Sequence, residues 1–134
     1  MNQYLPTLTA MIVMLFLDAI WISCVAHPAY ANTIGQLLRS FDQSLFIILI
    51  VIGVYALMVC GLMVFVIPKV HGLSTLLTIL YSGFFGLIVY GVFAMTNYAI
   101  LAPWTIELML IDTIWGFVLY SVTTVTIKAL FPDI

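Results

Sequence analysis

The sequence predicts an all-α integral membrane protein, a bundle of four transmembrane helices with a short interfacial helix between the first and second. Three observations carry that prediction. Of the 134 residues 66% are apolar and only 6% are charged, against averages of roughly 45–50% and 25% in soluble domains. The apolar residues fall into four runs separated by Pro, Gly and polar residues, and each run has the roughly 20 residues that a helix needs to cross about 30 Å of hydrocarbon. Few polar residues interrupt these runs, but two of them are aspartates in matching surroundings, Asp18 and Asp112.

The first span is expected over residues 7–26, opened by Pro6 at a position where its missing N–H would be unpaired anyway, and ended by His27-Pro28. Residues 28–43 form the longest polar stretch. Within it Tyr30, Ile34, Leu37, Leu38 and Phe41 recur at helical spacing among Asn32, Gln36, Arg39 and Asp42, the pattern of a helix lying in the membrane interface. The second span is expected over 44–67, with a tight connection through Pro68, His71 and Gly72. The third, over 73–101, is long enough to tilt or protrude and is broken by Ala102-Pro103-Trp104. The fourth, over 105–130, has Glu107 near its start and Lys128 near its end, matching the helix dipole at both termini. All four spans and the interfacial segment make one domain, 1–134.

A net charge of -2 from three Lys plus Arg and five Asp plus Glu leaves no basic field for phosphates, which excludes nucleic-acid binding. A cleaved signal peptide is not expected, because no Lys or Arg precedes the first apolar run and Asp18 interrupts it. Cys24 and Cys60 are too few and too far apart for a disulfide framework or a metal knuckle, and read as free membrane-embedded thiols. Lys69 and Lys128 fall on one side of a four-span bundle and Arg39 on the other, which by the positive-inside rule leans toward both termini being cytoplasmic. Tyr4, Trp104 and Phe131 near span ends suit an interfacial aromatic belt. Gly53, Ala56, Cys60, Gly61, Gly83, Gly86, Gly91 and Gly116 mark faces where helices can pack closely or line a cavity.

The pentapeptides Leu17-Asp18-Ala19-Ile20-Trp21 and Ile111-Asp112-Thr113-Ile114-Trp115 are nearly the same. Asp and Trp three apart share a helical face. Counting about 1.5 Å per residue from the span ends puts both acids roughly 10–12 Å below the same membrane face, the outer one, and spans one and four run antiparallel. Each indole N–H can therefore reach toward the other helix's carboxyl. Thr96 and Asn97 lie within one or two turns of that face. Together Asp18, Trp21, Thr96, Asn97, Asp112 and Trp115 define a polar cavity. An aspartate at mid-helix costs about 2.5–3.5 kcal/mol on insertion scales and must face the bundle interior. Two close together share one proton at neutral pH, the setting of a proton relay. Packing pins hydrogen-bonded to neighbouring helices are the alternative.

No ligand spacing such as His-x-x-x-His supports a metal site, no Ser-His-Asp arrangement serves acyl transfer, and no glycine-rich phosphate loop follows a strand. No cofactor is expected. The residues Asp18-x-x-Trp21, Tyr90-Gly91, Thr96-Asn97-x-Ala99-x-Leu101, Trp104 and Asp112-x-x-Trp115-Gly116 resemble an uncharacterised bacterial membrane family, domain of unknown function 2177. The resemblance implies a small four-span protein of the bacterial inner membrane. It brings no activity with it. Members of that family often place an acid two residues before the Thr-Asn pair, where this chain has Ala94, so no third carboxylate is carried over.

The functions that remain are proton- or cation-linked transport or permeation through the polar cavity, a non-catalytic accessory subunit or assembly factor, and a lipid- or quinone-handling enzyme using the two acids as general acid and base. Of these the enzyme has the least support. Membrane lipids, and either further copies of the chain or a partner membrane protein, are the expected partners.

Overall fold

The computed structural model describes residues 4–39 and 44–134. Among them the regular elements are all helical. Four helices are long and apolar enough to cross a membrane: α1 (Tyr4–Leu37), α2 (Leu45–Val70), α3 (Thr75–Ile100) and α4 (Ile106–Leu130). The four-helix membrane architecture is therefore present, but its first boundaries differ from those expected.

His27-Pro28 does not end α1. The helix passes through a π turn at Ile22–Ala26, where the His27 N–H donates to the Ile22 carbonyl, and continues through His27–Ile34 to a 3₁₀ turn at Gly35–Leu37. Residues 28–37 thus continue α1 without a break instead of starting a separate helix, and Phe41 and Asp42 lie outside the described residues. Pro68 behaves in the same way. A π turn at Leu62–Val66 precedes it, closed by the Ile67 N–H on the Leu62 carbonyl, and α2 runs on to Val70. A proline ring inside a helix strikes the carbonyl four residues back and lacks the N–H to pair with it. The wider π turn just ahead of each proline moves that carbonyl away, so the helix continues instead of stopping.

Sharper signals end the helices where the chain turns. Gly72 takes a φ of 73° between α2 and α3, a left-handed conformation that glycine adopts without steric cost. Side chains cap three helix starts: Ser44 accepts from the Ile47 N–H at 3.4 Å, Ser74 from the Leu77 N–H at 3.4 Å, and Thr105 from the Leu108 N–H at 3.2 Å. Glu107 and Lys128 occupy the first and last turns of α4.

Helices α3 and α4 form the tightest pair. A Cβ placed on Gly116 would come within 2.5 Å of both the Gly86 carbonyl oxygen and the Tyr90 Cβ, so the two backbones are in direct contact, the approach that small residues permit in membranes. On α2, by contrast, Gly53 has nothing within 4 Å of its own added Cβ and Ala56 and Cys60 are exposed; only Gly61 of that set meets a neighbour, the Phe85 ring. The apolar core joins Ala10 and Met14 of α1, Leu62 and Val66 of α2, and Leu119, Tyr120 and Ile127 of α4, each fully buried. These residues fill the half of the bundle nearer the chain's termini.

Candidate functional site

The other half holds the two aspartates. Asp18 is 5% and Asp112 4% exposed, and both line a cavity of about 170 Å³ together with Trp21, Tyr30, Tyr90 and Trp115. Asp18 accepts from three donors. Its Oδ1 accepts from Trp115 Nε1 at 2.6 Å, and its Oδ2 accepts from the hydroxyls of Tyr55 at 3.0 Å and Tyr90 at 3.2 Å. One acid thereby ties all four helices, because its partners stand on α2, α3 and α4. A carboxylate has about four lone-pair sites and no donor of its own, so three converging donors suit it.

Asp112 is held differently. The Tyr30 hydroxyl donates to its Oδ2, and Tyr30 stands on the part of α1 that lies beyond the π turn and Pro28. The expected mutual reach of the two indoles is therefore met on one side only. Trp115 donates to Asp18, whereas Trp21 stacks flat on Trp115 with ring centroids 4.4 Å apart and planes within 2°. The continuation of α1 past Pro28 brings a tyrosine to Asp112, where the symmetric pattern would have placed Trp21.

Thr96 and Asn97 do not line the cavity. Thr96 is exposed and Asn97 partly exposed; Phe93, one turn deeper on α3, takes the lining position. Above it sits Trp104, only 5% exposed, packed edge-on to Phe93 at 5.8 Å and against Tyr30 at 5.4 Å. Trp104 is thus folded into the bundle instead of facing outward. Glu107 and His27 are exposed.

Three tyrosines belong to this site that the sequence does not assign to it: Tyr30 falls in the expected interfacial pattern, Tyr90 enters only through the family resemblance, and Tyr55 is not singled out at all. Tyr55 had a signal, as the only hydroxyl in the regular stretch Leu45–Gly61 of α2. It lies ten residues in from the start of α2, about 15 Å deep at the helical rise, near the level inferred for the acids. Among the described residues no three His, Cys, Asp or Glu side chains converge as a metal would require. What the arrangement can do is hold one acid by three donors and another by a single hydroxyl, next to a space large enough for a few waters or one small cation.

The model of a family of predicted membrane proteins, domain of unknown function 2177, matches residues 3–128. The chain belongs to this family. The match covers three helices in full, all but the last two residues of α4, and every residue of the cavity, in agreement with the resemblance carried by the two Asp-x-x-Trp motifs. Comparison with curated proteins and with solved structures returned no match.

Proposed function

We propose that this member of the family is a small carrier of the bacterial inner membrane in which Asp112 binds and releases a proton or a small monovalent cation. Both termini are assigned to the cytoplasm, which places the cavity in the outer half of the bilayer. The observation that carries the reading is the cavity itself: two nearly buried acids share it, and they are unequally held. A packing pin calls for several partners on different helices, which Asp18 has. Asp112 keeps one tyrosine latch and an open space in front of it.

In this reading Asp18 is the fixed post. It orients Trp115, and through the stack Trp21, as walls whose π faces favour a cation over an anion. Tyr30 is the latch, and the π turn at Ile22–Ala26 is where α1 can flex, since such turns concentrate at functional positions in helices.

The test is proton and monovalent-cation flux in liposomes holding the purified protein, followed with an internal dye under an imposed gradient. Asp112→Asn is expected to reduce flux at least tenfold, about the size of a modest acid–base contribution. Wild-type protein with no flux above empty liposomes, or an Asp112→Asn variant as active as wild type, would overturn the proposal.

A further inference from the structure

At the opposite end of the bundle Lys128 does not extend into water. Its ammonium donates to the Val70 carbonyl at 2.9 Å, the Leu73 carbonyl at 2.9 Å and the Thr78 hydroxyl at 2.8 Å. All three partners are neutral and together use its three N–H donors, so the ammonium is fixed in place, and among the described residues no acid is bonded to it. It faces a cavity of about 270 Å³ that Thr75 and Thr78 also line. That cavity shares Val125 with a second space of about 370 Å³, a groove between α3 and α4 whose walls include Ile79, Phe117 and Val122. The groove is almost wholly apolar, for the Ser121 hydroxyl on its wall is spent on the Ile79 carbonyl at 3.1 Å.

A fixed cation at one end of an apolar groove has the form of an amphiphile. Its length is informative. Phe117 lies eleven residues from Lys128 on α4, about 16 Å at the helical rise, which is one leaflet of a hydrocarbon core about 30 Å thick. Val118 and Val122 are 38% and 41% exposed along it, open to the membrane from the side.

We propose that this groove is a binding site for one anionic phospholipid of the inner leaflet, with the headgroup phosphate beside Lys128 and Thr75 and an acyl chain lying along Val125, Val122 and Phe117. Charge complementarity selects the occupant. A zwitterionic lipid would fill the groove equally well but offer less net charge to an ammonium whose own partners are neutral. The site is separate from the aspartate cavity and stands whether or not that cavity carries a cation.

Native mass spectrometry of the purified protein, titrated with phosphatidylglycerol or phosphatidylcholine of matched chains, tests it. Wild type is expected to hold the anionic lipid about fivefold more tightly, the size of one juxtamembrane cation's contribution. Lys128→Gln should remove that preference and Lys128→Arg should keep it. Val122→Trp, which fills the groove without touching the partners of Lys128, should weaken both lipids together. Equal retention of the two lipids by wild type, no effect of Val122→Trp, or complete displacement of phosphatidylglycerol by millimolar inorganic phosphate would each overturn the proposal, the last by making this a site for a free anion.

Discussion

Asp18 and Asp112 have nearly the same neighbours in sequence and opposite circumstances in space. Asp18 accepts three hydrogen bonds from three different helices, whereas Asp112 takes one from Tyr30. Their substitution should therefore divide cleanly. Asp18→Ala leaves Tyr55, Tyr90 and Trp115 without an acceptor, and at about 0.6 kcal/mol for each intramembrane hydrogen bond the loss comes to about 2 kcal/mol. Asp112→Asn keeps an amide oxygen for Tyr30 and should cost under about 0.5 kcal/mol. Unfolding in mixed micelles, followed by tryptophan fluorescence, measures both; equal losses would show that the two acids are held alike. The repeated Asp-x-x-Trp located the site because an aspartate in hydrocarbon must find partners. It could not name them. Tyrosine is common in membrane sequences as an apolar ring, and only a depth comparison separates Tyr55 and Tyr90, which turn a hydroxyl inward, from Tyr81 and Tyr98, which are exposed.

The four helices were legible because each apolar run is long enough to span and is separated from the next by a true stop, such as Gly72 or Pro103. The prolines at 28 and 68 misled because a lost N–H and a ring clash usually end a helix, and nothing in their neighbours' identities announces the π turns that relieve the clash. The consequence for the site is direct, since Tyr30 reaches Asp112 only because α1 continues. Glycine positions were legible as a set but not individually. Gly116 sits against the Gly86 carbonyl, while Gly53 faces open space. Gly116→Ala should then destabilise by about 1–3 kcal/mol, the cost of overpacking a rigid contact. Gly53→Ala should stabilise by up to about 1 kcal/mol through helix propensity. The same unfolding measurement decides, and a neutral Gly116→Ala would mean that α3 and α4 are not in backbone contact.

The bundle is unequal across the membrane: the half holding the acids has a cavity among its helices, whereas in the half nearer the termini Met14, Leu62, Val66, Leu119, Tyr120 and Ile127, all fully buried, pack the space between α1, α2 and α4 and leave room along α3 and α4. Tyr120 closes this plug further by directing its hydroxyl to the Met58 carbonyl at 3.4 Å. Ile22 and Phe93 on the cavity rim are 47% and 52% exposed, so the space opens sideways, while Trp104 packs over Phe93 and Tyr30 at its end. Such a shape suits a carrier that must rearrange to release its cargo rather than a continuous pore. Single cysteines make this measurable, because Cys24 and Cys60 are free and exposed and can first be replaced by serine. In that background Tyr30→Cys should react in intact cells with a membrane-impermeant thiol reagent, and Tyr120→Cys should stay protected both in intact cells and in inverted vesicles. Labelling of Tyr30→Cys only in inverted vesicles would reverse the assigned orientation. Rapid labelling of Tyr120→Cys from either side would mean that water passes the plug, and the carrier reading would give way to a pore.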